Sequence, residues 1–203
     1  MTTLTESINT IEKKLEICTS KINSTSPINI NVEKNIEKIK YVQNVNDLKS
    51  YITTYFLKIS EKDAEIIAIE TNKQCITQNI PFTLVVGIIE VESSYNKFAR
   101  SKKGALGLMQ VKHDVWADEL GIRVKDLYHV NTNIMAGIEV LKYYLDQNKG
   151  NLLKSLKDYN GSYGNRFGNQ VHKAMKNFSL FRNNKSKTIE ERSKLNDSKT
   201  KNR

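Results

Sequence analysis

Apolar residues recur along the first 22 positions in a narrow seam. Leu4, Ile8, Ile11, Leu15, Cys18 and Ile22 are separated by alternating steps of four and three, the a/d spacing of a coiled coil held over about three heptads. The seam predicts a helix covered by another copy, by another protein, or by its own domain. Asn23-Ser24-Thr25-Ser26 and Pro27 end it. Ile28, Ile30 and Val32 then alternate with polar residues and predict an extended linker or short edge strand, and the lysine- and asparagine-rich residues 33–45 predict no element. From residue 46 the helical period is nearly continuous. Leu48, Tyr51, Ile52, Tyr55, Phe56 and Ile59 form a wide core-facing stripe. Ser60 followed by Asp63 reads as an N-cap with an acid in the first turn, opening a helix with Ala64, Ile67, Ala68, Thr71 and Cys75 on one face. Pro81 fits a helix start, and Val85, Ile88 and Ile89 make the next stripe. Further helices are expected over 105–119, 132–147, 151–159 and 166–178. In the second of these Ile134, Ile138, Leu141 and Leu145 share a face, with Gly137 permitting close approach.

Composition narrows the class. Two prolines and nine glycines in 203 residues leave little turn punctuation for an all-β protein, so the pattern is a mostly α fold. No run approaches the roughly 18 apolar residues of a membrane span. The first 20 residues hold threonines and acids where a Sec leader would place cations and an apolar stretch. Cys18, Cys75, His113, His129 and His172 form no metal-ligand spacing, so neither a metal nor another cofactor is expected. The formal net charge is +10, and Phe181 to Arg203 carries eight Lys/Arg against three Asp/Glu. That excess suits a polyanionic partner or a solvated, disordered tail. The expected organisation is an arm and linker over 1–45, a domain over 46–180 and a basic, disordered tail over 181–203.

Candidate chemistry begins where the stripe of Val85, Ile88 and Ile89 is extended by helical spacing. It lands on Glu92, while Glu90 lies about 200° away around the helix, on the side expected to be wetter. A carboxyl group buried beside aliphatics has its pKa raised and stays protonated near neutrality, the state a general acid needs. The competing reading is a glutamate satisfied by backbone or lysine at a helix end.

The order of blocks around Glu92 adds a family. Glu92-Ser93-Ser94-Tyr95-Asn96 is followed by Ser101-Lys102-Lys103-Gly104-Ala105-Leu106-Gly107-Leu108-Met109-Gln110, then Asn133-Ile134-Met135-Ala136-Gly137, then Tyr159-Asn160-Gly161. Over residues 60–178 this resembles the soluble lytic transglycosylase (SLT) family, whose pattern runs E-S-x-aromatic-N, S-x-x-G-A-x-G-L-M-Q, N-I-x-x-G and Y-N. The resemblance implies a lysozyme-like helical fold of the goose type, carrying an N-terminal helical arm and a basic C-terminal tail. It implies Glu92 as catalytic acid/base, Ser101 and Gln110 as side chains that hold sugar or orient the acid, and Met109 beside the glycan. Tyr159 would reach toward the glutamate, Asn160 would shape its turn, and Asn133 and Gly137 would be structural. Asp158 departs from the family's small apolar residue before the tyrosine, and Gly161-Ser162-Tyr163-Gly164 is shortened and altered.

The carboxylate count is consistent with that resemblance. A typical glycosidase places two carboxylates about 5–5.5 Å apart if retaining and about 6.5–9.5 Å if inverting. The blocks supply one, with Asp158 the only candidate second. One suffices if the muramic acid C6 hydroxyl of peptidoglycan is the nucleophile, which leaves a 1,6-anhydro end. A hydrolytic muramidase, a non-catalytic wall-binding subunit assembled through residues 4–22, and a nucleic-acid-binding protein are the rivals. The expected partner is the peptidoglycan glycan strand, with no specific nucleic acid. The expected place of action is the cell wall or periplasm, reached by virion, secretion machine or lysis.

Overall fold

The computed structural model describes residues 28–161 and 163–201, and the side chains of 32, 34–161 and 163–188. The expected seam from Leu4 to Ile22 lies outside the described residues. The chain divides into two compact units, Met1–Gln43 and Asn44–Arg203. The boundary falls within α1 (Ile28–Tyr55).

Helix α1 corrects the extended linker expected at residues 28–32. Alternation over three residues is too short a signal. Ile28 and Val32 also stand four apart, and Ile36, Ile39 and Val42 carry the helical spacing onward. In the first unit Val32, Ile36, Ile39 and Val42 are all exposed.

In the second unit α1 buries Leu48, Tyr51 and Ile52, while Tyr55 of the same stripe is exposed. Helix α2 (Glu61–Thr77) begins as expected: Ser60 accepts at its side chain from the Asp63 N–H, and Ala64, Ile67, Ala68, Thr71 and Cys75 are buried. With no opposite charge to offset its burial, the Cys75 thiol is pushed up to about 12, the inert state of a core thiol. Helix α3 (Phe82–Ser93) is the centre of the domain, with every residue from Leu84 to Ile89 buried. A helix apolar on all sides must be surrounded. At Gly87 a Cβ would lie 2.8 Å from Met175 Cγ and 3.0 Å from the Val171 carbonyl oxygen, so only glycine lets this helix meet α7 (Arg166–Lys201). Val85, Val86, Ile88 and Ile89 have no exposed surface, and each contributes about 1.5–3 kcal/mol of burial free energy.

The stretch expected as a helix over 105–119 is a small hairpin followed by a single helical turn. Strands β1 (Ala105–Leu106) and β2 (Val111–Lys112) pair antiparallel, Ala105 with Lys112 and Leu106 with Val111, before α4 (His113–Trp116). Positive φ at Gly104 (80°), Gly107 (75°) and Gln110 (49°) is incompatible with helix and turns the chain back on itself. A 3₁₀ turn at Val124–Tyr128 leads into α5 (Val130–Gln147), which buries Ile134, Ile138 and Leu141 in the main core. Helix α6 (Leu152–Asn160) is capped by the Asn151 side chain and ended by Gly161.

Helix α7 continues through Lys201, so the described part of the tail expected as disordered over 181–203 is helical, and residue 180 lies inside an element. The physical reason is visible at the helix's middle. Phe178 is fully buried and Phe181 packs against the same core, and Arg182 and Lys185 pair with the buried Asp47 at 3.1 and 3.0 Å. Lys, Glu and Arg are in any case good helix formers.

Candidate active site

Glu92 sits in the last turn of α3, one residue before the helix ends. Ser94 and Tyr95 follow with φ of 49° and 63°, two consecutive left-handed residues that cost about 1–2 kcal/mol each. Tyr95 offsets this: it is fully buried, stands edge-on to Phe56 at 4.7 Å and donates from its hydroxyl to the Val86 carbonyl at 3.4 Å. The sharp turn presents Glu92 at the end of a rigid apolar helix.

Glu92 is half-buried. Burial pushes its carboxyl from the ordinary 4.5 to about 7, against a smaller lowering by its hydrogen bond from Asn160. Asn160 Nδ2 donates to Glu92 Oε1 at 3.3 Å. Glu90 was expected on the wetter side, yet it too is half-buried. Burial raises its pKa, partly opposed by the Tyr51 hydroxyl, which donates to Glu90 Oε2 at 3.0 Å. The two glutamates thus differ chiefly in partner: Glu90 is tied to α1 and Glu92 to the end of α6.

Tyr159 precedes Asn160 in α6, so one short helix supplies two site residues. Its hydroxyl donates to the Met109 carbonyl at 2.7 Å, its ring stacks on Phe167, and its pKa is raised well above the usual value, first by burial and then by Glu92. Tyr159 was expected to reach toward the glutamate. Its hydrogen bond goes to the backbone instead, while its ring stays within the field of Glu92.

Met109 was expected beside the glycan. It is fully buried, and a Cβ at Gly137 would lie 2.6 Å from Met109 Sδ, so the side chain fills a notch in α5 and not a cleft. Asn133, also in α5, holds the same peptide: its Oδ1 accepts from the Met109 N–H at 2.8 Å, and its Nδ2 donates to the carbonyls of Leu106 (2.9 Å) and Leu127 (2.7 Å). Asn133 and Gly137 are structural, as expected.

Ser101 and Gln110 shape the loop between them. Ser101 Oγ accepts from the N–H groups of Lys103 (3.2 Å) and Ala105 (2.9 Å). Gln110 Nε2 donates to the carbonyls of Ala99 (3.1 Å) and Gly107 (2.9 Å). Gln110 and Tyr159 also share a cavity of about 140 Å³ with Lys112, Trp116, Tyr144 and Asp158. Asp158, the candidate second acid, accepts from Asn148 Nδ2 at 2.8 Å. Among the described residues no group of three His, Cys, Asp or Glu is placed to hold a metal ion. None of the described helices is long and apolar enough to cross a membrane.

A family model, the Transglycosylase SLT domain, matches residues 70–179, from within α2 to within α7 and more than half of the chain. The chain belongs to the SLT transglycosylase family. The fold is accordingly the lysozyme-like helical domain of that family, and peptidoglycan is the substrate class that an SLT domain implies. Sequence reasoning placed Asn160 among the substrate-binding residues, as one that shapes its turn, and missed its contact with Glu92. The signal was its place directly after Tyr159 at the end of a helix, but side-chain direction at a C-terminus is set by tertiary packing. The Tyr51–Glu90 bond, across 39 residues, left no local signal.

Proposed function

We propose that this SLT domain is a lytic transglycosylase that cleaves the MurNAc–GlcNAc β-1,4 bond of peptidoglycan with Glu92 as sole acid/base. The observation that carries the reading is Glu92 itself, a half-buried carboxyl at the end of α3 that burial raises to about 7 and that meets Asn160 of α6. In its protonated form Glu92 gives its proton to the leaving glycosidic oxygen as the C1–O bond breaks. The carboxylate then takes the proton of the muramic C6 hydroxyl as that oxygen bonds to C1. The acid is regenerated, no water is consumed, and the product is a 1,6-anhydromuramic end. A bound hydroxyl can outcompete water when the ring is held in productive geometry. Tyr159, Gln110, Ser101 and Asn160 border the region that would hold the sugar. Met109 acts from beneath, through its backbone.

A hydrolytic muramidase needs a second carboxylate to activate water. Glu90 faces Tyr51 of α1, about 200° around α3 from Glu92, which favours the substrate's own hydroxyl. Asp158, in the cavity beside Tyr159, is the base a hydrolytic reading would use. The setting we infer is local wall penetration by a virion or secretion machine. Docking or self-association through the 4–3 seam of Leu4 to Ile22 belongs to that reading. Mass analysis of a peptidoglycan digest in heavy-oxygen water tests the reaction. Anhydro ends, lighter than hydrolysed ends by one water and free of label, are expected. Labelled reducing ends throughout would overturn the transglycosylase reading in favour of hydrolysis.

A further inference from the structure

Glu90 lies about 200° around α3 from Glu92, where the end of α1 and the middle of α7 enclose a cavity of about 560 Å³. A neighbouring cavity of about 600 Å³ reaches Ser93 and Ser94, directly after Glu92, and has Tyr55 and Phe56 in common with the first. Each is within the range of about 300–1,000 Å³ usual for small-molecule sites. Together they make a groove that leads from the end of the catalytic helix along α7.

Three features define what the groove accepts. The Tyr55 ring belongs to the apolar stripe of α1 yet is 62% exposed, with the rings of Tyr51 and Phe181 at 5.1 and 5.9 Å holding it upright. Such a ring offers an apolar face for stacking. Asn177, Phe181, Asn184 and Thr188 recur along one face of α7, which places the two amides about 10 Å apart along the axis. Each amide both donates and accepts, so the pair can follow a chain of hydroxyl and acetamido groups. Two lysines line the groove: Lys58 is exposed at its far end, and Lys185, with Arg182 beside it, is already engaged. Lys185 Nζ donates to Asp47 Oδ1 (3.0 Å), the Asn46 carbonyl (3.3 Å) and Ser50 Oγ (3.1 Å), which matches the three protons of an ammonium. Arg182 Nε donates to Asp47 Oδ2 at 3.1 Å. An aromatic platform, amides, a hydroxyl and one carboxylate, with Lys185 satisfied and Lys58 exposed at the far end, suit a neutral pyranose better than a phosphate chain.

We propose that this groove is a second glycan site, holding an N-acetylhexosamine stretch of a peptidoglycan strand outside the cleavage cleft. The proposal rests on the peptidoglycan reading above. A strand held there keeps a second stretch of the same polymer at high local concentration near Glu92, and the gain appears only on substrates long enough to span both places.

The test uses the full chain carrying Glu92→Gln, so that bound glycan is not cleaved, and stem-free glycan strands as probe in calorimetric titration. Tyr55→Ala, and separately the double change Asn177→Ala with Asn184→Ala, should each weaken strand binding about three- to tenfold. Tyr55→Phe, which keeps the ring, should bind as the parent does. With Glu92 restored, kcat/KM on short soluble fragments should stay within about twofold of wild type in all variants. Unchanged strand affinity in both Ala variants overturns the proposal. So does an equal loss on short fragments, which would put these residues in the cleavage cleft, and so does displacement of glycan by a single-stranded oligonucleotide. If native protein releases anhydro ends while the groove variants change nothing, the second site alone falls. If native protein neither binds nor cleaves the strands, the peptidoglycan reading falls with it.

Discussion

Replacing Glu92 by Gln should abolish muralytic activity and at the same time make the protein more stable above neutral pH. The carboxyl titrates at about 7 in the folded chain and at 4.5 ordinarily. Between those values the folded state holds a proton that the unfolded state has released, so stability is full below pH 4.5 and is lost as pH rises through about 7. At about 1.4 kcal/mol per pH unit, the loss across that window is about 3 kcal/mol. Glutamine has the same shape, still accepts from Asn160 through its Oε1, and carries no charge to desolvate, so it escapes the loss. Urea denaturation of both proteins at pH 5, 6, 7 and 8, with m-values held common, should show curves that nearly coincide near pH 5 and separate by about 3 kcal/mol at pH 8. Activity of the wild type should fall along the same axis, since the acid must be protonated to act. A gap that is constant with pH, or a wild type more stable than the variant at pH 8, would refute the assignment of Glu92 as the desolvated acid.

Asn160→Ala removes the one hydrogen bond that lowers the Glu92 pKa, so the alkaline limb of the pH–rate profile should move upward while maximal turnover falls. Gly107→Ala should cost at least about 2 kcal/mol, read from urea midpoints, because φ there is 75° and a Cβ would strike the Asn133 amide and lie 2.7 Å from the Leu127 carbonyl oxygen. Asp47→Ala strands Arg182 and Lys185, which are 29% and 31% exposed. Solvent reaches both, so the loss should be about 1–3 kcal/mol and not the full cost of breaking a buried pair. It should show as faster hydrogen exchange in α7 beyond Phe181.

Where a local rule and the tertiary structure agree, the sequence is a sufficient guide. Ser60 with Asp63 marks a helix start because the cap is closed by residues three apart. Glu92 is found because the period of Val85, Ile88 and Ile89 carries directly into it. The misreadings share a different cause. Residues 105–119 look helical by apolar spacing, but left-handed φ at Gly104, Gly107 and Gln110 outweighs that spacing. Charge suggests a loose end after residue 180, but Phe178 and Phe181 pack on the distant Tyr51, and the Asp47 pairs reach across more than 130 positions. Tyr55 shares the period of Leu48 and Tyr51, yet α1 ends there and the core does not extend to cover it. The motif blocks locate Met109 and Gln110 correctly in the chain and say nothing about which way either side chain turns.

That last distinction explains how the site is held. The Met109 residue is gripped on its N–H by Asn133 and on its carbonyl by Tyr159, and its side chain is locked against Gly137. Tyr159 and Asn160 are consecutive, so the hydroxyl that grips Met109 and the amide that reaches Glu92 move as one unit. The hairpin loop, α5, α6 and α3 are thereby joined through a short chain of hydrogen bonds whose partners stand 24, 50 and 68 residues apart. A strong interaction between Tyr159 and Glu92 themselves is not required for this coupling. The tyrosine fixes α6 at a set height above the loop, and Asn160 follows. An acid held by one neutral donor keeps its raised pKa, whereas a cation in the same place would hold the carboxyl ionised and remove the proton that the proposed reaction uses.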